Sequence, residues 1–520
     1  MASTTRADNA NLYALFEDRF TGAADQTAFQ GPNIGTLAYG ALAAEVARYA
    51  NALESLGVMP GDRVMAQVDK SIPNVCLYLA TLKIGAVYNP LNSAYTAAEL
   101  EYFIGDAEPA LVVVAKDRVA NISGFAKNAK VRHLLTMNAD GSGSIADATA
   151  DKPAKHKTCA RNGDDLASLL YTSGTTGRSK GAMLSHDNLA SNAQTLHAYW
   201  GFVPGDVLLH ALPIFHTHGL FVALHTAFLN ASTMLWLEKF DLEKALDLLP
   251  RASVMMGVPT FYTRLLGDKR FARTHCRNMR LVISGSAPLL AETHKDFEAR
   301  TGHKILERYG MTEAGMITSN PYQLAKQGGG DRIAGTVGYA LPGVSLRVAD
   351  PQTAKVLPQG EVGVIEIKGR NVFKGYWRNP EKTKEEFRAD GWFITADLAT
   401  LDPDGRVTIV GRAKDLIISG GYNVYPKEIE SEINALPGVA ESAVIGIPHA
   451  DFGEGVVAAV TCQPGAKPPS ETDIIGALEG RLAKFKLPKR VFVVDELPRN
   501  AMGKVEKAVL RKRYLDTFSA

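Results

Sequence analysis

The chain has 520 residues, of which 46% are hydrophobic and 22% are charged, and its formal net charge is +2. This mixture excludes collagen-like, low-complexity and disordered chains, and the near-neutral balance gives no reason to expect nucleic acid or an anionic membrane as a partner. Because a single hydrophobic core stops growing at roughly 250–300 residues, we expect more than one domain.

The cysteines and the N-terminus indicate a compartment. The four cysteines are far apart and show no metal-ligand spacing, which predicts reduced thiols: Cys76, Cys159, Cys276 and Cys462. The first residues lack a basic segment followed by an apolar one, and no window approaches the ~18–20 apolar residues of a membrane span. We therefore expect a soluble, cytoplasmic protein.

Apolar strands alternate with amphipathic helices from residue 35 to residue 240, as in the strand DRVMAQVD and the helix VCLYLATLKIG that follows it. This alternation is typical of mostly parallel α/β sheets. Between residues 335 and 411, short strands such as VSLRVAD and GVIEIKG are separated by Gly, Pro and Asp turns. This pattern predicts antiparallel β-strands that form a small β-barrel-like part of the domain.

A compact pattern follows the segment GRAKD. The helix PKEIESEINAL begins with Pro426 and places Ile429, Ile433 and Leu436 on one face, and strands, a second helix and a basic final helix come after it. The predicted fold is therefore α/β. A large N-terminal domain (residues 1–412) is followed by a small, mobile α+β domain (residues 413–520).

The segment YTSGTTGRSKG, from Tyr171 to Gly181, has the composition of a phosphate-binding loop. We place it between the strand LASLLYT and the helix LSHDNLASNAQTL, where backbone N–H groups point at an anion. Glycines, hydroxyls and Lys180 add conformational freedom, donors and charge. The loop does not fit G-x-x-x-x-G-K-[ST], which argues against a P-loop kinase or ATPase. Its predicted phosphate ligands are Thr172, Ser173, Gly174, Thr175, Thr176, Gly177 and Lys180.

Together with four later motifs, this loop resembles the adenylate-forming superfamily of acyl-CoA synthetases, peptide-synthetase adenylation domains and luciferases. The motifs are YGMTE, TAD, GRAKD and PRNAMGKV, in the family's order and approximate spacing. The resemblance implies that a carboxylate attacks the α-phosphate of Mg-ATP to give acyl-AMP and pyrophosphate. A thiol, usually that of coenzyme A, then displaces AMP.

The resemblance also implies residue roles. Glu313 would bind Mg²⁺ beside Thr312 at the α-phosphate, and Lys504 would be the catalytic cation. Asp397 and Arg412 would hold the ribose hydroxyls. The remaining ATP-binding residues, most of them around the adenine, would be Ser286, Ala287, Pro288, Glu307, Arg308 and Tyr309. TAD has Ala396 where the family often has glycine, and we expect the backbone to tolerate the methyl group.

Domain alternation is a further implication of the family. One orientation of the small domain presents Lys504, and the other brings Gly420 and Gly421 to the pantetheine channel of CoA. Lys414 matches the hinge position, where a few residues absorb the dihedral change.

Acetylation would remove the charge of Lys504, so a protein acetyltransferase is a predicted partner.

In this family, the segments between the phosphate loop and YGMTE usually determine acyl specificity. In this chain those segments resemble malonyl-CoA synthetases. His216 matches the gate between the acyl and ATP sites, Ser284 lies in the same region, and His218 is interpreted as structural. A buried cation needs a partner, so Arg264 is predicted to clamp a second substrate carboxylate. Arg280 is a second candidate, for which a structural ion pair is an equally good interpretation.

The alternatives are the same reaction on methylmalonate, oxalate, acetate or an aryl acid, and a luciferase-like adenylating oxygenase. A peptide-synthetase module is disfavoured because no carrier-like segment follows Lys504, and a catalytically dead binding protein is disfavoured by the complete set of charged motif residues. The predicted co-substrates are ATP, with Mg²⁺, and CoA. The predicted substrate is a small dicarboxylate, with malonate as the principal hypothesis.

Overall fold

A computed structural model describes residues 9–172, 179–323, 330–500 and 503–518. No helix within these ranges is long and apolar enough to cross a membrane. Up to residue 172 the elements are α1 (Leu12–Gly22), β1 (Thr27–Gly31), β2 (Gly35–Ala38), α2 (Tyr39–Ser55), β3 (Arg63–Gln67), α3 (Ile72–Lys83), β4 (Val87–Pro90), α4 (Ala97–Ala107), β5 (Leu111–Val114), α5 (Val119–Asn128), β6 (His133–Thr136), α6 (Ser144–Thr149) and β7 (Leu166–Thr172).

From residue 179 to residue 323 the elements are β8 (Lys180–Ser185), α7 (His186–Tyr199), β9 (Val207–His210), a π-helix (His218–Leu224), α8 (His225–Asn230), β10 (Thr233–Trp236), α9 (Leu242–Leu248), β11 (Val254–Gly257), α10 (Pro259–Gly267), β12 (Leu281–Ser284), α11 (Ala291–Thr301), β13 (Leu306–Met311) and β14 (Gly315–Ser319).

From residue 330 onward the elements are β15 (Tyr339–Ala340), β16 (Val344–Ala349), β17 (Gly363–Gly369), α12 (Pro380–Glu386), β18 (Phe393–Leu401), β19 (Val407–Arg412), β20 (Ile417–Ser419), β21 (Tyr422–Val424), α13 (Pro426–Asn434), β22 (Val439–His449), β23 (Gly453–Cys462), α14 (Glu471–Leu478), β24 (Arg490–Val493) and α15 (Lys507–Arg513).

Two α/β sheets form the body of the large N-terminal domain. One has six strands in the order β6-β5-β3-β4-β7-β8, and the other has nine in the order β15-β14-β13-β12-β11-β9-β10-β1-β2. Neighbours among β9 to β13 run parallel, as do β3 to β6. The mostly parallel α/β prediction is therefore confirmed. The part predicted to be barrel-like is a four-stranded antiparallel sheet, β16-β17-β18-β19.

The small C-terminal domain is built on the sheet β21-β20-β23-β22, with β24 beside β23. One face buries Ile429 and Ile433 of α13 together with Ile474 of α14, as the helical periodicity predicts. The other face packs against Leu510 of α15. Pro426 is the first residue of α13, where its missing N–H removes no helical hydrogen bond.

The predicted position of the phosphate loop needs a correction. Residues 180–185 form strand β8, which pairs antiparallel with β7, so the loop joins two strands and α7 begins only at His186. The segment after Lys180 has the extended, largely buried side chains of a strand. The expected helix N-terminus is therefore not adjacent to the loop, and any anion binding there depends on the loop itself and on Lys180.

Candidate active site

The carboxyl ends of parallel strands bring many of the predicted site residues together. Ser284 ends β12 and lies opposite Gly257 of β11 on one side and Glu307 of β13 on the other. In open α/β sheets, ligands bind outside the carboxyl ends of the strands. The four-stranded sheet adds Asp397 and Arg412, which face each other across β18 and β19.

A buried carboxylate, Asp397, lies at the predicted nucleoside end of the site. Asp397 is 3% exposed, its Oδ1 is 2.7 Å from Nε of Arg412, and its Oδ2 accepts a 2.6 Å hydrogen bond from the Tyr309 hydroxyl. Burial, assisted by the charge of Asp397, raises the pKa of Tyr309 well above its usual value, so the phenol remains a donor. A carboxylate held in this way has lone pairs left to accept from ribose hydroxyls.

Two residues of the site have left-handed backbone conformations. Ala396 has φ 58° next to Asp397, and Ser286 has φ 71°. For a residue with a Cβ this conformation costs about 1–2 kcal/mol, a cost that glycine would avoid at the position of Ala396. Strain of this kind is retained where the surrounding structure fixes it, as at ligand sites.

Glu313 is the centre of a buried polar network. The carboxylate is 7% exposed, and its Oε1 lies 3.4 Å from the Thr172 hydroxyl and 3.1 Å from the Tyr376 hydroxyl. The Tyr376 hydroxyl also donates to Glu386 at 2.6 Å, and Lys180 Nζ lies 3.4 Å from Glu386 and 4.8 Å from the centre of the Tyr376 ring. The predicted ligands Ser173, Gly174, Thr175, Thr176 and Gly177 lie outside the described residues.

The environment of Glu313 suits a bound cation. Burial raises the pKa of this carboxyl, and within the described ranges no cationic side chain lies within ion-pair distance of it. A divalent ion would supply the missing positive charge, and a carboxylate oxygen together with phosphate oxygens is a ligand set that Mg²⁺ accepts. Thr312 is half-buried beside it.

Lys504 of the small domain lies at this site. Burial and the charge of Arg412 lower its pKa to about 8, against the opposing effect of Asp397. The charge of Lys504 in turn contributes to the low pKa of His216. The lysine is therefore close to both the ribose-side carboxylate and the predicted gate residue.

The pKa of Lys504 gives a pH dependence. The ammonium is present below about pH 8 and is lost above it, so kcat/KM for ATP in acyl-adenylate formation should fall as the pH rises through 8, by about tenfold per unit. Pyrophosphate exchange measured from pH 6.5 to 9.5 checks this. Lys504→Arg, whose guanidinium keeps its charge, should lose the alkaline limb. A wild-type profile that is flat up to pH 9.5 would contradict the assignment.

The guanidinium of Arg308 is buried without a full set of partners. The residue is 4% exposed, and its Nε and Nη2 have no hydrogen-bond partner among the described residues. It lies against Gly285, where an added Cβ would come within 2.3 Å of Cζ. Burial lowers the pKa of Arg308 to about 9, so it is a cation at neutral pH. A buried cation with free donors is a binding site for an anion.

Two neutral histidines lie beside this cation. Burial, together with the charge of Arg308, lowers the pKa of His216 to about 4 and that of His218 well below its usual value. Nδ1 of His218 is 3.2 Å from the Ser286 hydroxyl, and its Nε2 has no partner in the described part of the chain. We call His216, His218, Ser286 and Arg308 the acyl cluster. The buried hydroxyl of Ser284 is likewise unpaired among the described residues.

The two arginines predicted to clamp the substrate are elsewhere. Arg264 is exposed, because α10 buries Phe261, Tyr262 and Leu265 and presents Arg264 to solvent. The prediction of a buried cation at Arg264 is therefore wrong. Arg280 precedes β12, at the opposite end of the strand from Ser284, and its Nε pairs with Asp206 at 2.7 Å. These contacts agree with the interpretation of Arg280 as part of a structural ion pair.

Three other predicted ATP-binding residues have less direct support. The Glu307 carboxylate lies 3.4 Å from Nδ1 of His294 and accepts from the Gly335 N–H at 3.2 Å, so it is already bonded within the protein. Ala287 is half-buried and Pro288 is exposed. A nucleotide contact for these residues stays a prediction.

The predicted hinge residue Lys414 lies at the edge of this site, where its charge contributes to the lowered pKa of Lys504, and the predicted CoA-channel glycines are exposed. Lys414 is exposed in a short 3-10 helix, Ala413–Asp415, between β19 and β20. Gly420 and Gly421 form the exposed turn between β20 and β21, with φ 58° and 81°. In this orientation the small domain presents Lys504 to the site and the glycine turn to solvent.

Sequence reasoning missed Tyr376, Glu386 and the unpaired nitrogen of His218. Glu386 is the last residue of α12, and nothing in its spacing from Glu313 signals that one tyrosine hydroxyl contacts both carboxylates. For His218, the dense HTHG segment was the available signal, but its interpretation as structural did not anticipate a contact with Ser286.

Comparisons with known proteins agree with this arrangement. The mitochondrial malonate–CoA ligase of Mus musculus is 35% identical over 493 residues, covering 88% of this chain and 82% of that protein. A feruloyl-CoA synthase of an Amycolatopsis species is 34% identical over 486 residues, covering 92% of this chain and 94% of that protein. ATP-bound MatB from Rhodopseudomonas palustris superposes with a TM-score of 0.95 at 56% identity, covering 98% of this chain and 100% of that one, and apo MatB with 0.84.

The family models define the relationship. The model of the AMP-binding enzyme C-terminal domain matches residues 428–504, which include Lys504. The model of the AMP-binding enzymes matches residues 16–377, more than half of the sequence, and the chain therefore belongs to the family of AMP-binding enzymes.

Proposed function

We propose that this protein is an ATP-dependent acid–thiol ligase that forms malonyl-CoA from malonate and CoA through malonyl-AMP. The observation that carries the proposal is the buried Arg308 guanidinium, whose free donors lie in the acyl cluster beside Lys504 and the nucleoside residues. The single carboxylate of a monocarboxylate must face the α-phosphate, whereas malonate has a second carboxylate that can pair with this cation. The relationship to malonate–CoA ligases supports the same substrate.

The chemistry has two balanced steps. A carboxylate oxygen of malonate attacks the α-phosphorus of ATP, and the bond to the β-phosphate breaks, so that pyrophosphate leaves. The sulfur of CoA then attacks the acyl carbonyl carbon, the bond to AMP breaks, and the thiol proton is released. The first step develops charge on phosphate oxygens in the region that Lys504 reaches, where a fixed cation lowers the barrier.

The residues divide this work. Asp397, supported by Arg412 and Tyr309, holds the ribose. Lys180 and Thr172 bind the departing phosphates, and Glu313 would hold Mg²⁺, which would neutralise charge on the phosphates when bound. Arg308 orients the malonate by its distal carboxylate, which directs the other carboxylate toward the α-phosphate.

A comparison of different acids tests the assignment of malonate as the substrate. ATP-dependent thioester formation is measured with malonate, methylmalonate, succinate, acetate, octanoate and ferulate, with pyrophosphate release as the readout. We expect malonate to have the highest kcat/KM. A monocarboxylate or aryl acid with a kcat/KM above that of malonate would overturn the malonate assignment without affecting the adenylation mechanism.

Domain rotation around Lys414 is part of the proposal, with the boundary between the two domains placed at Arg412 and Ala413. Lys414→Pro fixes φ at the hinge. We expect thioester formation from acyl-AMP to fall by about tenfold or more, with acyl-adenylate formation changed less than about threefold. Lys414→Ala, which removes the charge but leaves the backbone free, is the control and should affect neither step. Unchanged thioester formation in Lys414→Pro would count against a hinge at this position.

Two further elements of the proposal concern the cell. We place the protein in the cytoplasm, and we propose Lys504 as the target of a protein acetyltransferase because acylation would remove its charge. Mass spectrometry of the protein from its native cells, with activity before and after deacylation, tests the second element.

A further inference from the structure

A buried contact between the two large sheets lies behind the acyl cluster. Lys70 follows β3 of the six-stranded sheet and is 9% exposed. Its Nζ lies 2.9 Å from Nδ1 of His210, 2.9 Å from the His210 carbonyl oxygen and 2.6 Å from the Leu237 carbonyl oxygen. The three N–H bonds of the ammonium thus have three acceptors. The centre of the Trp236 ring is 4.0 Å away, which favours the cation, whereas burial lowers the pKa of Lys70 well below its usual value.

These contacts determine the tautomer of His210. Its Nε2 is 3.0 Å from the carbonyl oxygen of Gly219, which can only accept, so Nε2 carries the hydrogen. Nδ1 is then the bare nitrogen that accepts from Lys70. Burial lowers the pKa of His210 well below its usual value, and the charge of Lys70 lowers it further, so the ring is neutral.

Gly219 belongs to the turn that carries the two histidines of the acyl cluster. It is the second residue of the π-helix, after His218, and the N–H of Leu220 donates to the His216 carbonyl at 3.0 Å. An added Cβ at Gly219 would come within 2.1 Å of the Pro213 carbonyl oxygen, so the turn is closely packed. Short π-helical segments are frequent at functional sites and have irregular backbone hydrogen bonding. Here the His210 ring supplies an additional donor to the turn.

We propose that Lys70 and His210 are positioning residues for the acid substrate. Lys70 orients the His210 ring, and the ring holds the Gly219 carbonyl and with it the turn bearing His216 and His218. We call this chain of contacts, from Lys70 through His210 to Gly219, the relay. Neither residue touches the substrate, and the ATP-side residues Asp397, Arg412 and Tyr309 have no hydrogen bond to this relay among the described contacts. The proposal goes beyond the assignment of malonate, because it holds for whichever acid the site accepts.

Steady-state kinetics test the relay. His210→Phe removes both ring nitrogens and should raise KM for the acid by about tenfold, with KM for ATP within about twofold, because a displaced turn weakens the contacts that position the acid. His210→Gln, which retains an N–H near the position of Nε2, should stay within about threefold of wild type. A role in folding alone would lower the active fraction and hence kcat, leaving both KM values unchanged.

A second buried lysine shows whether an effect on KM comes from the relay or from the loss of any buried lysine. Lys83 is 2% exposed, pairs with Glu17 and lies 4.5 Å from the centre of the Tyr13 ring, with no contact to the acyl cluster. Lys70→Met should raise KM for the acid as His210→Phe does, whereas Lys83→Met should leave it unchanged. Equal KM changes for acid and ATP in Lys70→Met, or none, would overturn the proposal.

A measurement on the wild-type protein remains decisive if a variant fails to fold. Long-range ¹H–¹⁵N correlation with labelled histidine, assigned by the signal missing in His210→Gln or His210→Phe, reports the tautomer at pH 7. We expect His210 to be neutral with its hydrogen on Nε2. A hydrogen on Nδ1, or a doubly protonated ring, would break the link to Lys70 and refute the relay.

Discussion

Lys504→Ala should reduce acyl-adenylate formation by about a hundredfold or more, while thioester formation from supplied acyl-AMP stays within about threefold of wild type. The reason is that the α-phosphate gains charge during attack, and the cation of Lys504 is held near Asp397 and Arg412, where that charge develops. The two half-reactions are measured separately, as pyrophosphate exchange and as CoA-dependent consumption of acyl-AMP.

The loop around Lys504 indicates that this charge is preorganised. The Lys504 N–H donates to the Asn500 side chain at 3.1 Å, the Asn500 N–H donates to the Lys504 carbonyl at 3.0 Å, and Arg499 donates to the Gly503 carbonyl at 2.7 Å. A cation that needs no reorganisation contributes most to lowering a barrier.

Lys507→Ala is the matched control for Lys504→Ala. Lys507 is in the same domain, but its Nζ is 2.6 Å from Glu430, so its charge is used in a structural ion pair. Both half-reactions should change less than about threefold, because a single partly exposed pair contributes little. Equal loss of both half-reactions in Lys504→Ala would remove Lys504 from the adenylation step.

Much of the nucleotide side could be anticipated from the sequence because the relevant residues are close in the chain or lie in recognisable motifs. TAD and GRAKD supply Asp397 and Arg412, and the structure pairs them across two neighbouring strands. The small domain also followed its pattern, since the 3.6-residue periodicity of α13 identifies Ile429 and Ile433 as buried.

The residues that face the acyl cluster could not be anticipated in the same way. Strand direction and helix rotation determine which side chains point toward it. Along β13 successive side chains point to opposite faces, so a one-residue step decides whether Glu307 or Arg308 meets the acyl cluster. A motif gives the order of residues but not the face. For Arg264, the rotation of a nine-residue helix on its neighbours decides exposure, and that depends on tertiary packing.

Arg308→Leu should lower kcat/KM for malonate by about a thousandfold, since a site built to bond a polar group loses about 10³ or more when that bond is removed. Monocarboxylates such as acetate and butyrate should gain relative to malonate, because leucine removes a buried cation that they leave unpaired. The ratio of kcat/KM for malonate to that for butyrate, with KM for ATP measured in parallel, is the readout.

Three comparisons make the result specific to the guanidinium of Arg308. Arg264→Leu changes an exposed arginine and should leave kcat/KM for malonate within about twofold. Gly285→Ala keeps the charge but introduces a Cβ within 2.3 Å of the Arg308 guanidinium carbon, so it should displace the cation and raise KM for malonate. Arg308→Leu should not lower thermal stability, because replacing a buried charge by an apolar side chain is often neutral or stabilising. Malonate turnover that survives in Arg308→Leu and collapses in Arg264→Leu would restore the exposed arginine as the clamp and remove the main support for malonate.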